Sequence, residues 1–191
     1  MKTYLMPSLK LTFVLLLICS VIYPLVVAGI GKLAPGKGDG VKLMYNGRVV
    51  GYENVGQSFT KPQYFHGRPS AVDYNAAGSA GSNKGPTNPD YLAVVKARVD
   101  TFLLQNPTVK RADVPSELVT ASGSGLDPDL SVAAATVQIN RVATVRNLPV
   151  TQVAKLVKQQ TQVPLLGFLG PEKINVLKLN IALDELAAAG K

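Results

Sequence analysis

Apolar residues crowd into one stretch of this chain and are spaced out elsewhere. From Leu11 to Ile30, LTFVLLLICSVIYPLVVAGI, thirteen of twenty positions are Leu, Ile, Val or Phe, and no Lys, Arg, Asp or Glu interrupts them. A helix of that length rises about 30 Å, the hydrocarbon thickness of a bilayer, so the stretch predicts one membrane span. Lys10 and Lys32 stand at its ends, where their ammonium groups reach the headgroups. Val26 and Ala28 have the small-residue spacing that a signal peptidase accepts, which keeps a cleaved secretory signal as a second reading. The run is longer than the usual signal core of about 7–15 residues, and this favours an anchor that is retained.

After the span the pattern changes. Residues 32–40, with Pro35 and several glycines, read as a flexible neck, and 41–191 as one soluble domain behind a tail at 1–10 and a span at 11–31. Val41–Tyr45 and Arg48–Tyr52 flank Asn46-Gly47, a strong hairpin signal because both turn residues tolerate positive φ. From Gly56 to Asn88 the chain is too rich in Gly, Pro, Ser and Asn for a long element. Its aromatics Phe59, Tyr64, Phe65 and Tyr74 predict a loop packed onto something.

Helical spacing then returns. Asn88-Pro89 starts a helix carrying Leu92, Val95, Val99, Phe102 and Leu103, which Asn106-Pro107 ends. A short turn is expected at Pro115–Thr120. Ser131 caps a helix running to about Arg146, with Val132, Ala135, Ile139, Val142 and Ala143 inward. Another starts near Pro149 and buries Val150, Val153, Leu156 and Val157. Asn175 caps a last one with Val176, Leu179, Leu183 and Leu186 inward, although Leu177, Leu179, Ile181 and Leu183 also fit strand alternation. The class that results is α+β, with a small sheet and about four helices.

Charge narrows the partners. The net charge is +8, but the basic residues are scattered, without the stripe interleaved with aromatics that nucleic-acid binding uses, so no nucleic acid is expected. The lone Cys19 lies within the span and gives the soluble part neither a disulfide nor a thiolate metal site. Lys2 and Lys10 before the span nearly balance Lys32, Lys37, Lys42 and Arg48 after it. A short N-terminal tail is the usual form of a signal-anchor, which puts the domain on the extracytoplasmic side.

Reaction chemistry is hard to find. No Asp precedes Lys-Thr, so the phosphorylated aspartate of a P-type pump is missing, and GSAGSNKGP at Gly78–Pro86 lacks the GxxxxGK[ST] spacing of a phosphate loop. His66 is the one histidine, read first as structural. Asp127 and Asp129 are separated by Pro128, whose turn points them apart, and capping is their expected task. Neither a catalytic residue nor a metal site is expected.

Three segments in order behind the span carry a likeness: GQSFTKPQYFHGRPSAVDYNAAGSAGSNKGPTN, SGSGLDPDLSVAAATVQINRVATVR and GFLGPEKINVLKLNIALD. The chain resembles the C subunit of the bacterial Kdp potassium-transporting ATPase over nearly its whole length. The resemblance implies a non-catalytic accessory subunit of an ATP-driven potassium importer in the inner membrane, beside a potassium-binding channel-like subunit and a P-type catalytic subunit. It also implies a stabiliser of the complex and a catalytic chaperone that raises the catalytic subunit's ATP affinity.

A nucleotide shared with that subunit would use Ser122, Gly123, Ser124 and Gly125, whose backbone N–H groups converge, with Gln138, Arg141 and Arg146 on the following helix. A tight capping turn is the structural alternative. Tyr64, Phe65, Arg68, Tyr74, Asn75, Ser82 and Asn83 are expected to meet a partner subunit, since aromatics and Arg anchor interfaces. Thr12, Cys19 and Tyr23 share one face of the span, a docking stripe for partner helices. The competing function is a membrane-anchored extracytoplasmic binding protein or hydrolase acting alone through His66 and Asp73.

Overall fold

The computed structural model describes residues 2–189, in two units divided between Lys42 and Leu43. The first is helical. Helices α1 (Lys2–Leu17) and α2 (Tyr23–Gly31) are joined by a wide π turn at Ile18–Ile22. From Tyr4 to Gly31 this makes 28 residues of mean hydropathy 2.7, with none of the apolar window buried, long and apolar enough to cross a membrane. The helix extends back through the expected tail, across Pro7. The π turn has a cause in sequence: Pro24 has no N–H for the carbonyl of Ser20, and its ring presses on that carbonyl. The Tyr23 N–H instead reaches the carbonyl of Ile18, five residues back. The extra residue turns the rest of the helix relative to the part before Ile18.

The second unit is α+β. Strands β1 (Lys42–Tyr45) and β2 (Arg48–Tyr52) form the hairpin about Asn46 and Gly47, whose φ angles are 49° and 74°. Residues 53–88 hold only one 3-10 turn, Ala76–Gly78, started by the Asn75 side chain accepting from the Ala77 N–H. Helix α3 (Pro89–Gln105) starts where Asn88 Oδ1 accepts from the Tyr91 N–H at 3.0 Å. Single 3-10 turns come next, at Arg111–Asp113 and Ser116–Leu118.

The helix expected from Ser131 to Arg146 is two helices, α4 (Val132–Thr136) and α5 (Ile139–Arg146). Gln138 explains the break. Its side-chain amide donates to the Ala134 carbonyl at 3.1 Å, while its backbone N–H bonds Ala135 instead. Ser131 Oγ caps α4, accepting from the Ala134 N–H. Helix α6 (Val150–Gln160) comes after Asn147, which ends α5 in the left-handed conformation at φ 54°. Helix α7 (Val176–Ala189) starts at Asn175, whose Oδ1 accepts from the Lys178 N–H at 3.0 Å. Its capping residue and buried heptad-like face outweigh the strand alternation also present there.

A second, three-stranded antiparallel sheet joins β3 (Asp129–Leu130), β4 (Thr161–Gln162) and β5 (Lys173–Asn175) in the order β3-β5-β4. Ile174 pairs with Leu130 on one side and Thr161 on the other. Strands of two or three residues are too short for alternation to reveal them.

The larger core cluster contains Phe65, Ala135, Val142, Val153, Ile174, Leu179 and Leu183, and a second one Phe102, Leu118, Leu130, Ala134 and Val176. Val150 and Leu92, expected inward, are about half exposed. Asp127 and Asp129 do not cap helices. Asp127 accepts from the Asp129 N–H and pairs with Arg68 at 3.0 Å, while Asp129 pairs with Lys173 at 2.7 Å. The Asp-Pro-Asp turn puts both carboxylates within reach of cations from other segments.

Candidate functional site: a clamped loop and the groove beside it

The loop segment 62–66 is fastened to α5 and α7 by side chains that take the place of a neighbouring strand. Asn180 accepts from the Phe65 N–H at 2.9 Å and donates to its carbonyl at 3.0 Å. Gln138 does the same for His66, at 2.8 and 3.0 Å. Arg141 donates to the carbonyls of Pro62 and Tyr64, to Asn106 Oδ1 at 3.1 Å and to Gln138 Oε1 at 2.7 Å. Arg146 donates to the Gln63 carbonyl at 2.8 Å, pairs with Asp184 at 2.6 Å and lies 4.8 Å over the Tyr64 ring. The Tyr64 hydroxyl donates to Asp184 at 3.1 Å.

Burial sets the electrostatics. Arg141 is surrounded by neutral acceptors, and desolvation brings its pKa down to about 10, still charged at neutral pH. Burial, helped by the positive charge of Arg141, holds the His66 imidazole below its ordinary 6.5. Burial, then the hydrogen bond to Asp184, raises Tyr64. A His that resists protonation in the folded state gives stability that is present above its unfolded pKa. That stability is lost as pH falls below about 6.5 towards the lower folded value. We therefore expect His66→Gln to flatten the acid side of a urea-midpoint profile between about pH 7.5 and about pH 5.5, relative to the parent chain.

These contacts settle where the expected nucleotide residues stand. Gln138, Arg141 and Arg146 turn inward and each bonds the loop backbone. Ser122 is buried, and its Oγ accepts from the Gly125 N–H at 2.9 Å; Ser124 Oγ accepts from the Leu126 N–H at 3.0 Å. Gly125 sits at φ 70°, where a Cβ would lie 2.8 Å from the Ala80 carbonyl oxygen. The SGSG turn is thus packed against residues 70–81, and Ser79 Oγ donates to the Ser124 carbonyl at 2.7 Å. Gly123 and Ser124 are exposed.

The expected interface residues are divided. Phe65 is fully buried and belongs to the core, not to a surface, because its side chain follows the clamped backbone inward. Asn75 caps a turn, Ser82 is half-buried, and Asn83 is exposed at φ 51°. Arg68 and Tyr74, with His66 and Asp73, line an open groove of about 580 Å³ between the loop and α3, whose far side includes Val94, Arg98 and Phe102. Tyr74 donates to the Arg68 carbonyl at 2.5 Å. The His66 ring faces the Lys61 carbonyl at 3.0 Å, not a carboxylate, so the His66–Asp73 pair of a hydrolase is not assembled. Among the described residues, no group of three or more His, Cys, Asp or Glu could hold a metal ion.

Sequence reasoning misses Asn106, Asn180 and Asp184 as partners in the clamp. Asn180 leaves a signal: it is a polar residue directly beside Leu179 in a stretch otherwise spaced for burial.

A family model described as the c chain of the K+-transporting ATPase, KdpC, matches residues 5–185. The chain belongs to that family. Among KdpC relatives, the potassium-transporting ATPase KdpC subunit of Flavobacterium johnsoniae is 54% identical over 178 residues, covering 93% of this chain and 96% of its own. The KdpC subunit of Bacteroides fragilis is 53% identical over 189 residues, 97% and 98% of the two chains. That of Bacillus cereus is 42% identical over 187 residues, 97% of each. These matches run through both the apolar helix and the clamped loop, so the KdpC resemblance covers the whole architecture described above.

Proposed function

We propose that this chain is a non-catalytic accessory subunit of a potassium-importing ATPase of the bacterial inner membrane, acting by contact with a channel-like subunit and a P-type catalytic subunit. The observation that carries the reading is the match of residues 5–185 to a family of transporter subunits. The geometry supports it. The polar side chains of the clamp tie a loop into a rigid face with a groove beside it, which is what a docking surface needs.

The chaperone role is proposed as indirect. With Gln138, Arg141 and Arg146 committed to the loop, a rise in the catalytic subunit's ATP affinity would come from holding that subunit in a competent shape. Shared ATP would meet only the exposed Gly123 and Ser124. The domain is proposed to lie outside the cytoplasm. A reporter fused after Lys191 should be active there, and one active only in the cytoplasm overturns that sidedness and brings direct ATP contact back.

The test of function is the potassium-stimulated ATPase of the assembled complex with and without this chain. Without it, the other subunits are expected to separate in mild detergent, and any complex that survives should show a several-fold higher KM for ATP. Full assembly and an unchanged KM would overturn the proposal. Turnover of ATP by this chain alone would also overturn it.

A further inference from the structure

Between β4 and β5 the chain forms a small hairpin that is apolar throughout. From Val163 to Pro171, VPLLGFLGP, it has no charged residue and no side chain able to donate or accept a hydrogen bond. Val163, Leu165, Leu166 and Phe168 are each about three-quarters exposed, and Leu169 about half. The shape is fixed by an antiparallel bridge between Leu165 and Leu169 and by positive φ at Leu166, Gly167 and Gly170.

Part of its backbone is bonded internally. The N–H groups of Gly167, Phe168 and Leu169 all bond within the hairpin, to Pro164 at 2.9 Å and to Leu165 at 3.4 and 2.9 Å. With these three donors paired inside the hairpin, fewer amides are left to lose water when the apolar tip leaves it.

We infer that this hairpin is a second membrane contact, inserting Leu165, Leu166, Phe168 and Leu169 into the headgroup–acyl boundary of the bilayer that the N-terminal helix crosses. Two observations choose lipid over a protein surface. The tip offers no charge and no side-chain hydrogen bond with which to single out one protein, whereas hydrocarbon asks for none. Only ten residues, 32–41, join α2 to β1, a reach of at most about 35 Å. The anchor therefore keeps the domain at a high effective concentration beside lipid, so shallow insertion of four apolar side chains is enough. Lys155 and Lys158, both exposed on α6 ahead of the hairpin, suit an anionic surface; Glu172 is the single acid beside the tip. The inference rests on the membrane span and not on the subunit reading, and it holds on either side of the membrane.

The chain has no tryptophan, so Phe168→Trp gives a single indole reporter in the full chain. In vesicles of phosphatidylcholine and phosphatidylglycerol, its emission should be blue-shifted and quenched by brominated acyl chains, with little quenching by aqueous iodide. Leu165→Trp is a second reporter should the first perturb the hairpin. Adding Leu169→Glu to either should restore the emission and iodide sensitivity of an indole in water. Emission typical of water in the vesicles, with strong iodide and no bromolipid quenching, overturns the inference. Protection that appears only when the other transporter subunits are added also overturns it, in favour of a protein partner.

Discussion

Arg141→Met lowers the unfolding free energy of the soluble domain by about 3 kcal/mol, read from the urea midpoint of the full chain in detergent. Arg141 is 7% exposed, and its guanidinium serves acceptors on four residues, two of them loop carbonyls. Charge-assisted hydrogen bonds are worth about 1.5–3 kcal/mol each, and the acceptors left behind have little water to turn to. Against this stands the relief of burying a cation without a carboxylate, the same effect that brings the Arg141 pKa down. The bonds outweigh it because several are lost at once. Arg141→Lys should recover little, since an ammonium cannot span acceptors laid out for a planar fork. A variant as stable as the parent would show that the clamp does not hold the loop.

Phe65→Ala is expected to cost about 3–5 kcal/mol in the same measurement. Its ring is fully buried among Ala135, Val142, Val153, Leu179 and Leu183, residues of four different helices. Truncation leaves a cavity that cannot close easily, because Asn180 fixes the Phe65 backbone from both sides. Phe65→Leu should cost less than half as much, by refilling most of the volume. Equal costs for the two would place the ring outside the core.

Local signals in the sequence are legible. Asn88, Ser131 and Asn175 as helix starts, Asn46-Gly47 as a hairpin and the apolar span are all decided by residues within a few positions of one another. What escapes depends on distant partners. The three-stranded sheet comes from strands that mean nothing alone, and the break at Gln138 arises because its amide is needed by His66, 72 residues earlier. The same holds for the candidate site. Gln138, Arg141 and Arg146 stand out in the sequence as unusual polar residues on a helix, yet polarity at that spacing says nothing about whether they face a ligand or the protein's own backbone. The observed arrangement answers with the backbone, for a loop too rich in Gly and Pro to satisfy its own amides in a sheet.

The Phe65–Asn180 fastening joins residues 115 apart, and the Arg146–Asp184 pair that helps to hold the same segment also draws its acid from α7. During synthesis the loop therefore leaves the ribosome long before its last two fasteners exist, and the clamp is not complete until α7 has been made. Losing α7 to premature termination would release a face laid down more than a hundred residues earlier, so a product cut short before it carries an unfinished surface.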